Sequence, residues 1–285
     1  MRRLSLIVVA ILFIVANLSA QQFVTKRVGL YSEDGVPVLA DASTTLALDL
    51  TVQHEEFVAG PYARYAQKYL GSRASQMDRS IYSIVDAQIA VAADDYYMAG
   101  SFDAKAGQGA NVDLSFPQVL PDKLSSRDMS LEDAAAAAAE QILQLRKVRL
   151  ELITGELGDG VYGAGLQSAL AEIERLEKSY LELFYGKSAV SYSSCRIYLP
   201  VDASRKTMIA ARFNSDEGLL NIDNLDGDIV MVNIVPSNVE YPASNPKGKV
   251  EYRFANNSTV VVSLGQEVLI NRVLPIYEFG QTVVL

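Results

Sequence analysis

Residues 130–186 read SLEDAAAAAAEQILQLRKVRLELITGELGDGVYGAGLQSALAEIERLEKSYLELFYG, and this stretch carries the clearest helical pattern in the chain. Ser130, with two acidic residues at positions 132 and 133, predicts a helix start, because its hydroxyl can cap the first turn and acids suit the positive end of a helix. Six successive alanines then favour the helix. The apolar positions recur every three or four residues and so predict one buried face: Leu131, Ala135, Ala138, Ile142, Leu145, Val148 and Leu152.

A second helical pattern follows the glycine-rich residues 155–165. Its apolar stripe consists of Leu166, Leu170, Ile173, Leu176 or Glu177, Tyr180 and Leu183, and its charged residues occupy the other face. Two helices of about 20 residues each, separated by so short a connection, predict an antiparallel hairpin over residues 127–187. The alternative is that the two helices pack separately on a sheet.

The chain before the hairpin, residues 21–126, has mainly β patterns. Residues 23–35 are expected to form an edge strand, and residues 44–52 and 81–92 show the alternation of further strands. Between them, Gly60-Pro61 predicts the start of a short helix that ends at Gly71. Residues 100–126 are rich in Gly, Pro, Ser and Asp and predict a long loop around the short apolar piece 112–116.

The chain after the hairpin, residues 188–285, has strand patterns throughout. Strands are predicted at residues 190–199, 207–213, 228–234, 249–254, 259–264 and 268–284, with a turn at Asn256-Asn257 and a break near Pro275. Regular short strands without helices between them are typical of an antiparallel sandwich. The predicted fold class is therefore α+β: antiparallel β-rich portions, the C-terminal one sandwich-like, with a long αα-hairpin inserted between them.

Residues 1–20 have the pattern of a secretory signal peptide. Two arginines precede an apolar run that ends near Leu18, and small residues follow at a plausible cleavage point after Ala20. The run is short for a membrane span, which needs roughly 20 apolar residues, although a retained N-terminal anchor is the alternative. The only cysteine is Cys195, so no N-terminal lipid anchor is expected. These features predict export to the periplasm or envelope and a soluble protein after cleavage.

The composition and motifs argue against several kinds of site. A net charge of -9 repels nucleic acid, and the single histidine, His54, excludes multi-histidine metal sites. Residues 158–163, GDGVYG, match the glycine fingerprint of dinucleotide sites, but that site needs a preceding strand, and a hairpin connector explains the glycines better. We predict no catalytic residue, no metal and no cofactor. Residues 221–228 leave a loose calcium loop open beside the favoured solvated turn.

Tyrosine is common in this chain, with 15 residues, whereas tryptophan is absent. Several tyrosines concentrate in one region and form the candidate binding site: Tyr62, Tyr65, Tyr69, Tyr96 and Tyr97. Tyrosine rings suit protein or glycan contacts, because they bury a large area at little entropic cost. The alternative is that they line a seam between helix and sheet, with their hydroxyls reaching water.

Residues 60–71, GPYARYAQKYLG, resemble the hallmark of the domain-of-unknown-function 4831 family, exported proteins of Bacteroidota. Three further stretches are similar to the same family: residues 145–156 to its first long helix, residues 177–186 to the end of its second helix, and residues 275–280, PIYEFG, to its closing strand. The resemblance implies an envelope protein of a Gram-negative bacterium. It brings no catalytic residues to this chain.

Three classes of function remain. The expected one is a non-enzymatic binding or scaffold protein of the cell envelope, whose partner is another envelope protein or a glycan and whose hairpin offers a docking face. The first alternative is a periplasmic hydrolase that uses carboxylates such as Glu55, Glu56, Asp94 or Asp95 as acid and base. The second is a module that binds a glycan or small ligand through the tyrosine-rich region.

Overall fold

The computed structural model describes residues 23–33, 36–92, 103–105, 113–116, 129–156 and 163–285. The predicted signal peptide, residues 1–20, lies outside them. In chain order the elements are β1 (Thr25–Glu33), β2 (Val36–Ala40), β3 (Thr45–Val58), a 3-10 turn (Ala63–Tyr65), α1 (Ala66–Leu70), β4 (Arg79–Val91), β5 (Asp103–Lys105), α2 (Leu131–Thr154), α3 (Ala164–Tyr185), β6 (Lys187–Pro200), β7 (Thr207–Asn214), β8 (Gly218–Leu220), β9 (Asp228–Val235), β10 (Glu251–Leu264) and β11 (Glu267–Val284).

These strands form two antiparallel sheets. The smaller sheet has the order β4-β3-β6-β5, and the larger has the order β2-β1-β10-β9-β7-β8, with β11 paired to β10. Strands from before and after the helical hairpin occur in both sheets, because β6 pairs with β3 and β1 pairs with β10. The predicted α+β class with antiparallel sheets is confirmed.

The two sheets pack face to face around one apolar core. Alternate residues of β3, β9 and β10 are buried, as the two-residue period of a strand requires when one face is covered. The largest fully buried side chains of this core are Leu46, Leu48, Leu50, Ile89, Val230, Val232, Ile234, Val260, Val262 and Ile276.

The helices α2 and α3 pack against each other, which confirms the predicted hairpin. The Ser130 hydroxyl accepts a hydrogen bond from the Asp133 amide at 3.2 Å, so α2 begins with the predicted cap. The first half of α2 and the last turns of α3 share a second apolar core, in which small alanine side chains allow a close approach. Its buried members are Ala66, Ala135, Ala138, Ala139, Ile142, Tyr180, Leu183 and Phe184.

Two glycines join the helical hairpin to the smaller sheet, where β3 ends and β6 begins. The Tyr62 amide donates to the Leu183 carbonyl at 2.8 Å, which fastens the chain after β3 to the last turn of α3. A Cβ atom on Gly60 would lie 2.3 Å from the same carbonyl oxygen, and one on Gly186 would lie 2.4 Å from the Val58 carbonyl oxygen. Backbones can approach so closely only at glycine, so the hairpin sits directly on the end of the β3–β6 pair.

The N-terminal strands differ from the sequence prediction. The strand predicted within residues 23–35 is present as β1, but its predicted position at a sheet edge is wrong, because β10 pairs with the first part of β1 and β2 pairs with the rest. The strand β2 has no clear sequence signal, since it is short and contains Pro37, which lacks an N–H group. It occupies the end of the larger sheet, where a proline is tolerated.

The predicted turn at Asn256-Asn257 is wrong, because β10 continues through both residues. Asn256 is buried, and its side chain bridges to the segment that follows β9. Its Oδ1 accepts from the Ser237 amide at 2.9 Å, and its Nδ2 donates to the Ser237 carbonyl and the Tyr241 hydroxyl, each at 2.9 Å. Asparagine is common in turns because of its local hydrogen bonds, whereas here the same groups make bonds across the sheet.

The predicted break near Pro275 is a wide bulge inside a continuous β11. The pairing register with β10 shifts here and leaves residues 277–280 out of the ladder. The Arg253 guanidinium donates to the Tyr277 carbonyl at 2.9 Å, and the Thr44 hydroxyl accepts from the Tyr277 amide at 2.9 Å. The bulge therefore ties the larger sheet to the residue that precedes β3.

Most of the predicted loop, residues 100–126, lies outside the described residues. The loop prediction is wrong for β5, which pairs with β6 and ends the smaller sheet. Phe116 packs against the helical core, and the Lys187 ammonium lies 5.3 Å from the centroid of its ring. Lys187 also donates to the Asp113 carbonyl at 3.2 Å, so residues 113–116 are held at the junction of hairpin and sheet.

Candidate functional site

The first residue of the predicted tyrosine site, Tyr62, lies in the seam between the 3-10 turn and the end of α3. Its ring centroid lies 5.6 Å from that of Phe184, and burial raises the pKa of its hydroxyl. Its amide also binds α3, as described above, so both its backbone and its ring serve packing. Tyr96 and Tyr97 lie outside the described residues.

Tyr65 and Tyr69 are one helical turn apart, with ring centroids separated by 6.3 Å. Each ring is approached by a cation: the Arg64 guanidinium lies 4.7 Å from the Tyr65 centroid, and the Lys68 ammonium lies 5.1 Å from the Tyr69 centroid. Arg64 also donates to the Tyr65 hydroxyl at 2.6 Å. The structure thus gathers Tyr62, Tyr65 and Tyr69 against the helical core, with basic side chains on their outer side.

A polar surface pocket of about 290 Å³ lies beside this tyrosine cluster. Gly71 ends α1 in a left-handed conformation, so the chain turns back and brings Arg73 and Gln76 to the same pocket as Arg64 and Gln67. Its lining residues are Ala63, Arg64, Gln67, Arg73, Ala74 and Gln76, and these six residues constitute the arginine pocket.

The arginine pocket carries two positive charges, those of Arg64 and Arg73. The Arg73 Nε donates to the Gln67 side-chain oxygen at 3.3 Å. Among the residues that the structure describes, neither Arg64 nor Arg73 has a carboxylate oxygen within 4.0 Å. By contrast, Lys68 binds Glu132, and their hydrogen bond raises the pKa of the lysine and lowers that of the glutamate.

A second exposed surface lies on the distal half of α2. Leu143, Leu150 and Ile153 are 56%, 62% and 60% exposed. Residues at positions i, i+7 and i+10 fall within about 80° of one another around a helix and span about 15 Å along it. They form a single exposed apolar stripe: Leu143 and Leu150 lie about 80–100° to one side of the buried Ile142, and Ile153 lies within about 20° of Ile142 but three turns further along the helix.

Basic residues accompany this apolar stripe. The Arg146 Nε donates to Glu177 of α3 at 2.7 Å, and the Lys147 ammonium lies 3.6 Å from Glu151, one turn later. The first bond uses Nε alone, and the lysine is largely exposed, so both cations can still contact a further carboxylate. The stripe and its two cations constitute the arm face: Leu143, Arg146, Lys147, Leu150 and Ile153.

The later part of the chain, which holds both long helices and the strands after them, matches a known protein family. Residues 101–285 match the family described as Domain of unknown function (DUF4831). This range is more than half of the chain. The chain belongs to this family. The family resemblance predicted from the sequence is thereby confirmed. Residues 60–71, which hold the tyrosine cluster, precede the matched range. No curated protein and no solved structure matches the chain.

The acidic residues considered for hydrolysis do not form a facing pair among the described residues of this DUF4831 protein. Glu55 and Glu56 are neighbours in β3, so their side chains point to opposite faces of the sheet, and Glu55 binds Arg79 at 3.0 Å. Asp94 and Asp95 lie outside the described residues. Within the described ranges, no three His, Cys, Asp or Glu side chains are grouped closely enough to hold a metal ion.

The remaining sequence motifs of this DUF4831 chain lie within a strand or between secondary-structure elements. His54 lies inside β3, stacks on Tyr82 with ring centroids 4.1 Å apart, and forms a hydrogen bond of 2.8 Å with Ser80. Of the GDGVYG motif only Gly163 is described, and the element before the motif is the helix α2 rather than a strand. Of residues 221–228, the first seven connect β8 to β9, and Asp228 begins β9. None of the helices described is both long enough and apolar enough to cross a bilayer.

Neither the arginine pocket nor the arm face is predicted by the sequence patterns above, although each has a signal. Arg64 and Gln67, and again Arg73 and Gln76, repeat an Arg-x-x-Gln spacing on both sides of Gly71. The arm face appears in the sequence as apolar residues of α2 that exceed what one buried stripe needs. Only the fold places Arg64 and Gln67 beside Arg73 and Gln76. Likewise, only the burial of each side chain distinguishes the arm face from the buried face of α2.

Proposed function

We propose that this protein is a non-enzymatic binding protein of the cell envelope and that its arm face docks an acidic amphipathic helix of another envelope protein. The observation that carries the proposal is the exposure of Leu143, Leu150 and Ile153 in one line. Full burial of an aliphatic side chain contributes about 1.5–3 kcal/mol, so covering three side chains that are about 60% exposed would contribute about 3–5 kcal/mol. A helix laid along the stripe achieves this with anchors at helical spacing.

The charges at the arm face favour an acidic partner. Arg146 and Lys147 accompany the stripe, and Arg149 lies exposed next to them in a chain whose net charge is -9. A second copy of the chain would bring the same cations into contact, which costs free energy between like charges. A helix with an apolar stripe and flanking Glu or Asp residues would instead form charge-assisted hydrogen bonds with Arg146 and Lys147.

A membrane surface fits the arm face less well than a helix does. Helices that lie in a membrane interface present a broad apolar face, commonly with Trp or Phe, whereas this stripe is narrow and purely aliphatic.

The location in the envelope rests on residues 1–20, whose pattern predicts export. With an exported chain, the partner helix belongs to a protein of the periplasm or of a membrane that borders it.

The proposal is tested by chemical crosslinking of the tagged protein in intact cells, followed by identification of the crosslinked segments. The double variant Leu143→Gln/Leu150→Gln removes the stripe and keeps residues that favour helix. Leu225→Gln is the matched control, because Leu225 is 81% exposed and lies between β8 and β9. We expect an acidic helical segment that is captured by the wild type and the control and lost with the double variant. Capture that is equal for all three proteins would contradict the proposal.

A further inference from the structure

The arginine pocket gathers hydrogen-bond donors from two short segments. Arg64 and Gln67 come from the 3-10 turn and α1, and Arg73 and Gln76 come from the chain that follows Gly71. Guanidinium groups offer several N–H donors in a planar fork, and each glutamine amide offers two more. Donors therefore predominate on the walls of the pocket, while the two alanines contribute only small apolar groups.

Three of the four polar side chains of the pocket, Arg64, Gln67 and Arg73, are positioned before any ligand binds. Arg64 is held over the Tyr65 ring and bonded to the Tyr65 hydroxyl. Arg73 is bonded to the Gln67 side-chain oxygen, which directs the Gln67 amide nitrogen away from that bond. The backbone beneath them is anchored because Ala63 and Ala66 are buried. Pre-positioned donors lose little conformational entropy when a ligand binds.

The electrostatics of the pocket point to an anion. Two arginines line one small concavity, and the described residues place no carboxylate oxygen within 4.0 Å of either of them, in a chain with a net charge of -9. Two positive charges at one small concavity repel each other, and an oxyanion bound there relieves the repulsion while accepting hydrogen bonds from both arginines. The pocket volume of about 290 Å³ is at the lower end of ligand sites, so it admits one compact group.

We propose that the arginine pocket binds an oxyanion, the carboxylate or phosphate of a single charged sugar, through Arg64 and Arg73 with Gln67 and Gln76 as further donors. The neutral part of the sugar rests on the pocket alanines and beside the tyrosine cluster. In this arrangement Tyr65 is a positioning residue, because it orients Arg64. The site is separate from the arm face and does not depend on the function proposed above.

The test is isothermal titration of the purified protein with three probes: glucuronate, glucose 6-phosphate and glucose. We expect at least one charged sugar to bind, glucose not to bind, and the affinity to fall as sodium chloride is raised, because the site is exposed to solvent. Arg64→Gln and Arg73→Gln should each weaken binding by about tenfold or more, since each removes a charged donor. The stronger of the two charged probes identifies the oxyanion.

Lys178→Gln is the matched control, because Lys178 is an exposed cation of α3 that does not line the pocket. It changes the net charge by the same amount and should leave binding unchanged. Arg64 and Arg73 are exposed, so circular dichroism should show that both variants keep the fold. Absence of binding by both charged sugars at millimolar concentration, equal binding of glucose, or unchanged affinity in the Arg64→Gln/Arg73→Gln double variant overturns the proposal. Crosslinking at the arm face is read separately, so failure of either proposal leaves the other standing.

Discussion

Replacing Gly186 by alanine tests the junction that seats the helical hairpin on the smaller sheet. The residue connects α3 to β6 and has φ +83° and ψ -176°. Residues other than glycine pay about 1–3 kcal/mol to adopt this region of backbone conformation. The added methyl group would also lie 2.4 Å from the Val58 carbonyl oxygen and 2.6 Å from the ring of Phe57. The crowding penalty arises only if the two backbones meet as they do in this structure, whereas the penalty for positive φ is local to Gly186.

The expected loss in the free energy of unfolding is about 4 kcal/mol for Gly186→Ala. Backbone strain contributes as stated, and forcing a methyl group into a filled space costs typically about 1–3 kcal/mol more. The crowding atom on Val58 belongs to the backbone of β3 and cannot turn aside as a flexible side chain would. A loss of this size is a large fraction of the about 5–15 kcal/mol that stabilises a typical domain.

Two other glycines separate the two penalties. Gly155, after α2, has φ +79° but nothing within 4 Å of the added methyl group, so Gly155→Ala should cost only about 1 kcal/mol. Gly60 has no positive φ, but its methyl group would lie 2.3 Å from the Leu183 carbonyl oxygen, so Gly60→Ala should cost about 2–3 kcal/mol. The three variants should therefore rank Gly186, Gly60 and Gly155 in decreasing order of cost.

Urea unfolding followed by circular dichroism and tyrosine fluorescence measures these losses. The dependence of the unfolding free energy on urea should stay the same in each variant, so that shifts of the midpoint report stability. If Gly60→Ala and Gly186→Ala cost no more than Gly155→Ala, the hairpin does not contact the β3–β6 end as described. That result would refute the reasoning for the junction.

Three further predictions concern the sheets, the hairpin and acid stability. Asn256→Ala should lower the free energy of unfolding by about 2–4 kcal/mol, because the half-buried Ser237 amide and carbonyl lose their partners, and a loss below about 1 kcal/mol in urea unfolding would speak against the bridge. Ala138→Leu should cost about 1–3 kcal/mol by forcing α2 away from its neighbours, whereas the exposed Glu140→Leu should cost under about 0.5 kcal/mol in the same assay. Hydrogen bonds from the Ser204 amide and hydroxyl lower the pKa of Asp202, so its contribution to stability is present above the ordinary carboxyl pKa of about 4 and is lost as the pH falls further. Thermal melts should show Tm falling below about pH 4, with a smaller fall in Asp202→Asn, and an equal fall in both proteins would contradict this assignment.

The hairpin was predictable because its signals are local. The cap at Ser130, the alanine run and the apolar period all lie within the helices that they specify, and the period survives in the burial of Ile142, Ile173 and Leu183. Two helices that are close in sequence can be predicted to pack against each other without information from distant parts of the chain. The α+β class follows equally well from the contrast between helical and alternating segments.

The strand order could not be read from the sequence, because it depends on contacts between distant segments. β1 pairs with β10 through Thr25 and Phe254, and neither strand contains a signal that selects the other. Asn256 was expected in a turn because asparagine commonly occurs there, but a long-range bridge to Ser237 keeps it in a strand. The backbone conformation of such residues is determined by tertiary hydrogen bonds.

The candidate site was only partly accessible from the sequence. The spacing of Tyr62, Tyr65 and Tyr69 predicted a cluster, and the structure gathers them, but the ring of Tyr62 faces Phe184. The pocket beside them requires the turn at Gly71, which brings Arg73 back to α1. Similarly, the sequence shows that α2 is rich in leucine, but not which leucines the fold leaves uncovered.

Site-specific photocrosslinking at position 150 in living cells tests most directly whether the arm face is a docking surface. A photoreactive amino acid at position 150 should yield an adduct with an acidic amphipathic helix of one envelope protein, and the same group at position 178, an exposed site on α3, should not. Adducts at position 150 only with a second copy of this chain or with lipid would contradict the account. The same partner captured equally at both positions would contradict it as well.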